Sequence, residues 1–321
     1  TFCSGDTIEW FSNRGVELKI EDDGRMFPIT DSSQTIIDCF LEEARNKKID
    51  VLTNQSVKSL FPSNNFWKIE TTTEVFACKK IVIATGSNTK IWELLQDLGH
   101  QIIEPVPSLF TFNIKDNRIK DLMGVSAQVT VKVKEANLKS EGALLITHWG
   151  MSGPAILKLS AWGARELNKL NYQFSIQVNW LKDLNFEEVM EELLQLKTEN
   201  AKKQVDKFCP FDFPKRLWES LLLASEIELQ TKWADLSKKQ MVNLINQLTN
   251  GVFKVNGKST FKEEFVTAGG IDLKDVNFKS MESKVLPNLF FAGEILNIDA
   301  ITGGFNFQNA WTTAYIASQS V

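Results

Sequence analysis

Two short apolar runs, far apart in the chain, constrain the fold more than anything else in it. Lys79–Gly86 (KKIVIATG) and Val285–Glu294 (VLPNLFFAGE) each read as a strand of buried β-formers running into a small-residue turn. A strand that ends in this way suits the carboxyl edge of a parallel sheet, where crevice ligands sit. If the two runs share one sheet, everything between them is an excursion from it.

The texture of the intervening chain supports that reading. Leu109–Ile114, Ala127–Val133, Ala143–Thr147 and Gln173–Trp180 alternate apolar and polar residues with period two, as in an antiparallel sheet or small barrel. Phe186–Thr198, Lys215–Ala224 and Ser237–Thr249 follow as three amphipathic helices. Before the first run, helical patterns over Asp6–Ser12 and Thr30–Lys47 flank a strand at Val16–Ile20 and an Asp22-Asp23-Gly24 turn. Segments around Val51–Leu60, Trp67–Glu70 and Val75–Ala77 form an expected meander. The sequence thus predicts an α+β protein with a first domain at 1–103, an inserted β-barrel and helical domain at 104–266, and a return to the first domain at 267–321.

Composition excludes several classes. At 321 residues the chain has room for roughly two domains, and 43% hydrophobic against 24% charged residues is globular usage, not that of a disordered chain. Thirty-six basic and 40 acidic residues give a net charge of −4, so no overall cationic field gathers phosphate backbones, and nucleic acid is not the expected partner. The lysine pairs Lys79-Lys80, Lys202-Lys203 and Lys238-Lys239 read as solvated edges. Cys3, Cys39, Cys78 and Cys209 form no C-x-x-C pair, so neither a metal site nor a dithiol motif is expected, and reduced thiols fit a cytoplasmic location. No apolar stretch is long enough to cross a bilayer, and no membrane is expected.

A few side chains could carry chemistry, each with a plainer alternative. Gly303-Gly304 enters the helical pattern Phe305–Ser318; such a helix start offers unpaired N–H groups to an anion or an electron-rich ring edge, or is simply a tight turn. Glu294 could accept from a ribose-type hydroxyl, or serve as a capping acid. His148, in Thr147-His148-Trp149-Gly150, is a candidate proton donor or a hydrogen-bonded turn histidine. Arg25 could clamp a carboxylate or phosphate, or form a structural ion pair. His100, after Gly99, reads as a helix-end residue whose partial charge suits the last carbonyls. Trp92, Trp162, Trp218 and Trp233 lie in helical patterns and read as packing residues. Ser152 lacks the G-x-S-x-G setting of a hydrolase nucleophile.

Five segments taken in order carry a resemblance. GVELKIEDDGRMFP (15–28), KKIVIATG (79–86), LLITHWGMSGPAILKLS (144–160), FVTAGGIDL (265–273) and MESKVLPNLFFAGEILNIDAITGGFNFQNA (281–310) together resemble the YhiN/BaiN-like flavoproteins, a family of NAD(P)/FAD-dependent oxidoreductases. The resemblance implies an α/β FAD domain of the two-dinucleotide-binding type, interrupted by the inserted domain. It implies that Ala84, Thr85 and Gly86 lie beside the dinucleotide and that Val57 marks the strand edge facing adenine. Gly293 and Glu294 match the turn at the ribityl and pyrophosphate portion, and Gly303, Gly304, Phe305 and Asn306 match the helix start beneath the flavin ring. Asn297 stands where the family commonly has aspartate, and Thr313-Ala314 where it has small glycines.

The family opens with a strand, a G-x-G-x-x-G-type loop and a helix, and no such run occurs in this sequence. The resemblance therefore implies that roughly eighty residues precede Thr1 in a full-length member, and that a chain lacking them neither holds FAD nor turns over by itself. The full-length protein is expected to be an FAD-dependent oxidoreductase moving a hydride between NADH or NADPH and a small organic substrate, with His148 and Arg25 as the substrate-side candidates. The alternatives are a flavin-fold binding protein and an RNA-modifying flavoprotein without nicotinamide-linked activity.

Overall fold

The computed structural model describes residues 2–22, 24–63, 66–259 and 266–321, so Asp23 of the expected turn and Phe265 of the FVTAGGIDL segment lie outside the described residues. The chain divides into two units, one of Thr1–Pro105 with Val266–Val321, the other of Val106–Phe265. Both mix helix and sheet.

In the first unit the two apolar runs do pair. Ile81–Ile83 and Leu289–Phe291 are parallel neighbours in a four-stranded sheet completed by Glu282–Ser283 and Val276–Asn277. Leu289, Phe290 and Phe291 are all buried, whereas Val82 is 40% exposed. The expectation of a fully buried Lys79–Gly86 run thus fails at its middle residue, because Ile81–Ile83 is the last strand of this sheet and one of its faces stays open. The expected meander forms as Val57–Pro62, Trp67–Thr71 and Val75–Cys78. Helix Thr89–Asp97 starts on Asn88, whose side chain accepts from the N–H groups of Lys90 and Ile91, and its apolar stripe Ile91, Trp92 and Leu95 packs on the parallel pair. Helix Ser33–Asn46 starts on Ser32 in the same way. It joins Ser4–Ser12 in a small separate core of Phe11, Val16 and Cys39.

The second unit is built on a six-stranded antiparallel sheet whose order runs Gly251–Asn256, Gln173–Asn179, Ser126–Val133, Leu138–Ile146, Gly150–Ser152, Phe112–Asn113. Its ends meet. Phe112 bridges to Lys258, Asn113 N–H donates to the Gly257 carbonyl at 2.9 Å, and Ser259 N–H donates to that of Thr111 at 3.0 Å, which closes the sheet into a barrel. The inward residues Val129, Val131, Leu144, Ile146, Ile176 and Val178 alternate as period two demands. The expected strand at Leu109–Ile114 shrinks to two residues: Leu109 takes a left-handed backbone, φ +57°, and the next N–H, of Phe110, turns to the Ser160 hydroxyl. The three expected helices appear as Phe186–Glu199, Lys215–Ala224 and Lys238–Asn250, the first and third opened by capping boxes at Asn185/Glu188 and Ser237/Gln240. They share one core with the barrel, in which Trp218 and Trp233 are fully enclosed. Trp162, by contrast, is 57% exposed at the end of helix Pro154–Trp162, so its helical spacing does not mark packing.

Candidate functional site

The parallel pair of the first unit places both turns side by side. Ile81 N–H donates to the Asn288 carbonyl and Ala292 N–H to that of Ile83, each at 3.0 Å, so the ladder runs to the last residue before either turn. Ala84-Thr85-Gly86 and Gly293-Glu294 therefore emerge together at the carboxyl edge. Ala84 and Thr85 are exposed there.

The helix Phe305–Ser318 reaches the same edge. Lys80 Nζ donates to the Ser320 carbonyl at 2.7 Å, while Gly293 N–H donates to Thr313 Oγ1 at 2.8 Å. The helix thus runs antiparallel to the two strands, with its C-terminal end near their start. From Ala310, which packs on Gly293, to Phe305 the axis extends about 7 Å further, so the first helical turn lies beyond the strand ends. Gly293 needs to be glycine on two counts: φ is +75°, and a Cβ there would stand 3.3 Å from Ala310 Cβ.

That helix start is built to remain open. Gly303 and Gly304 have φ of +136° and +83°, no side chain caps the helix, and its first turn carries no acidic residue. Its leading N–H groups are left with their partial positive charge. Asn306 spends its amide on the preceding loop, accepting from Ala300 N–H and donating to the Ala300 carbonyl, both at 2.9 Å. A Cβ built on Gly304 or on Gly86 meets nothing within 4 Å, so space adjoins both. An uncapped helix end, left-handed glycines and a pair of parallel strand ends together suit a dinucleotide with an electron-rich ring.

Glu294 commits one carboxylate oxygen to the backbone, accepting from Thr267 N–H at 2.8 Å on the strand Val266–Ile271. Val57 opens the separate meander sheet and packs on the core of this unit. Arg25 is exposed by the Met26–Pro28 strand, its guanidinium carbon 5.4 Å from the Phe27 ring centre. His148 is exposed too, in the turn between Leu138–Ile146 and Gly150–Ser152 of the second unit. Of the residues picked out from sequence, the structure gathers Ala84, Thr85, Gly86, Gly293, Glu294, Gly303, Gly304, Phe305 and Asn306 around one edge. Val57 and Arg25 lie on other elements of the first unit.

Three supporting residues escaped the sequence reading. Thr313 holds the Gly293 turn, and its only signal was that it replaces a small residue. Trp92, read as packing alone, also donates from Nε1 to the Ile295 carbonyl at 2.9 Å, below the Gly293 turn. His100 is 2% exposed, and burial holds its imidazole below the ordinary histidine value, so the expectation of a helix-end charge is corrected to a neutral ring. Nδ1–H donates to the Leu95 carbonyl at 3.1 Å, and Nε2 accepts from Ser283 Oγ at 2.7 Å. Among the described residues no group of three or more His, Cys, Asp or Glu is placed to hold a metal, and no helix is long and apolar enough to cross a membrane.

With this geometry in place, comparison with known proteins adds the following. The HI0933-like protein Rossmann domain matches residues 1–320. The ribosomal RNA dihydrouridine synthase of Haemophilus influenzae is 27% identical over 335 residues, covering 100% of this chain and 80% of that protein. The 3-dehydro-bile acid delta(4,6)-reductase of Clostridium scindens is 24% identical over 330 residues, covering 99% and 80%. A solved structure, CtdE in complex with FAD and substrate 4, is 10% identical with a TM-score of 0.32, covering 99% of this chain and 66% of that one.

Proposed function

The chain belongs to the HI0933-like Rossmann-domain family, and from that premise we propose that its protein is an FAD-dependent oxidoreductase that uses NADH or NADPH to reduce a small organic substrate. The observation that carries the proposal is the parallel pairing of Ile81–Ile83 with Leu289–Phe291, which sets two glycine turns and an uncapped helix start at one sheet edge. FAD, when bound, supplies the two-electron chemistry. The chain's part is to hold and orient it. Ala84, Thr85 and Gly86 offer backbone free of bulky side chains, and the N–H groups that follow Gly304 favour negative charge on the electron-rich edge of the ring. Glu294, anchored on Thr267, stiffens the turn next to them.

The names of the two relatives, a dihydrouridine synthase and a delta(4,6)-reductase, both denote saturation of a ring double bond. That supports a substrate with a carbon–carbon double bond conjugated to a carbonyl, which takes up a hydride at the β-carbon and a proton at the α-carbon while the nicotinamide is oxidised. His148 is the side chain we put forward for the proton, and Arg25 for an anionic substrate group. A second reading, in which the double bond belongs to an RNA base, draws on the Haemophilus relative's name; the net charge of −4 weighs against it.

The test is the visible spectrum of the gene's full-length product, before and after anaerobic NADH or NADPH. Flavin bands that bleach with either nucleotide are expected. A colourless protein that takes up no added FAD would overturn the cofactor, and a bound flavin that neither nucleotide bleaches would remove the nicotinamide. Salt-sensitive retention of RNA by the same protein would move the substrate to the second reading.

A further inference from the structure

We infer that the second unit carries a phosphate-binding site on the outer face of its barrel, separate from the flavin reading. A cavity of about 360 Å³ opens there, with Thr130 and Lys132 of one strand, Lys139 of the next and Lys182 of the following loop among its walls. On the strand Ser126–Val133 the residues 127, 129, 131 and 133 face the core, so Thr130 and Lys132 share the outer face.

Two features of this face want an anion. Lys132 and Lys139 stand directly opposite each other across the antiparallel ladder, an arrangement in which like charges repel. Lys139 is relieved by Glu141, Nζ to Oε1 2.6 Å, while Lys132 has no ion-pair partner among the described residues. The second feature is Thr130. It is only 4% exposed, and its hydroxyl has no hydrogen-bond partner although it lines the cavity. A buried hydroxyl left unpaired is costly, and a ligand oxygen would satisfy it.

The surroundings are of mixed sign. The 14-residue helix Phe186–Glu199 begins at the cavity, with Asn185 and Phe186 in its wall, but the Asn185/Glu188 capping box closes its start and Glu187 and Glu188 stand in its first turn, so it adds no positive end. Lys182 contributes a third ammonium, against the carboxylates of Asp183 and Glu141. Gln177 and Asn250 are spent on each other at 2.6 Å, and Asn179 on the loop through Leu181 and Leu184, so the walls are fixed before any ligand arrives. Ammonium groups from separate elements plus one buried hydroxyl suit an anion with several acceptor oxygens, and the volume exceeds that of a free phosphate. An esterified phosphate, on a nucleotide or in an RNA strand, is the fitting class.

Thermal melting and calorimetric titration of the whole chain with inorganic phosphate, AMP and a short single-stranded oligoribonucleotide, against chloride at matched ionic strength, test the site. At least one phosphate probe should raise the melting temperature and titrate to saturation. Lys132→Gln should weaken that binding about tenfold. Thr130→Val should weaken it as well, yet leave the ligand-free melting temperature equal or higher, since the hydroxyl satisfies nothing in the free protein. Tightest binding by AMP assigns a nucleotide, and tighter, steeply salt-dependent binding by the oligoribonucleotide assigns a strand. No response to any of the three probes, a response that both variants leave unchanged, or a fall in the ligand-free melting temperature of Thr130→Val would overturn it.

Discussion

The two units of this chain solve opposite problems. The second folds around a continuous core in which barrel and helices share side chains, and its strands run to nine residues. The first divides its apolar residues between two cores and holds its candidate site on strands of three. Long strands with inward alternation make a rigid scaffold. Short parallel strands, by contrast, end in many turns, and their ends offer backbone to a ligand. The comparison teaches that the larger shared core and the candidate flavin edge lie in different parts of the chain, so substitutions in that core and at that edge should separate in what they change.

The largest effect falls on the second unit. Trp218 is fully buried, and its Nε1–H donates to the Val205 carbonyl at 2.8 Å. Trp218→Ala leaves a large cavity and an orphaned carbonyl, so a loss of about 3–5 kcal/mol is expected in denaturant or thermal unfolding. Flavin binding by the gene's full-length product, measured below the new melting temperature, should stay within about twofold of the parent. Equal losses of stability and of flavin affinity would break the division of labour.

Gly293→Val reverses the pattern. The added side chain meets Ala310 and must adopt φ +75°, at a cost of about 1–3 kcal/mol. The damage is local to the turn, so FAD affinity should fall at least about tenfold. Fluorescence titration of the gene's full-length product with FAD measures it. Asn306→Ala is a milder form of the same experiment. It removes both hydrogen bonds to Ala300 and frees the loop before the helix, with about 1–2 kcal/mol expected in flavin affinity and little change in melting temperature.

How much of this was legible beforehand differs between the units for a physical reason. The barrel strands announce themselves because one face is buried and the other wet, which writes period two into Ala127–Val133 and Gln173–Asn179. The three helices are equally plain from their apolar stripes. The parallel strands carry no alternation, and only the small-residue turns after Ile83 and Ala292 marked their ends. That they pair is a long-range fact that neither segment encodes alone. The hydroxyl of Thr313 and the indole N–H of Trp92 were invisible for the same cause. Each acts on a turn remote in sequence, and a buried hydrogen bond leaves no periodic trace. Leu109 misled in the other direction, since its β-propensity hid a left-handed backbone.

Within the first unit, His100 gives a pH-dependent way to sharpen the comparison. Its folded-state affinity for a proton is lowered by burial, whereas in the unfolded chain it titrates near its ordinary value of 6.5. The unfolded state therefore binds the extra proton first as the pH falls. The stabilising contribution is complete above that value and is lost progressively below it. Melting curves between pH 7.5 and pH 5 (roughly the range over which histidine changes charge) should show a decline that His100→Gln reduces. A His100→Gln profile parallel to the parent would place the titrating group elsewhere.

The smallest structural effect is expected at His148, and there the readout is kinetic. An exposed turn side chain can be removed at little thermodynamic cost, so His148→Ala should melt within about 0.5 kcal/mol of the parent and bind FAD equally well. If the imidazole supplies the proton to the substrate's α-carbon, flavin reduction by NADH or NADPH is unaffected, while reoxidation by substrate slows about 10²-fold or more. The two half-reactions, followed separately by stopped-flow absorbance under anaerobic conditions, make the distinction. Slowing confined to the oxidative half keeps His148 as the proton donor. Unchanged rates in both halves return it to the second unit as an ordinary residue of an exposed turn, and leave the proton to come from solvent or from a group on the first unit.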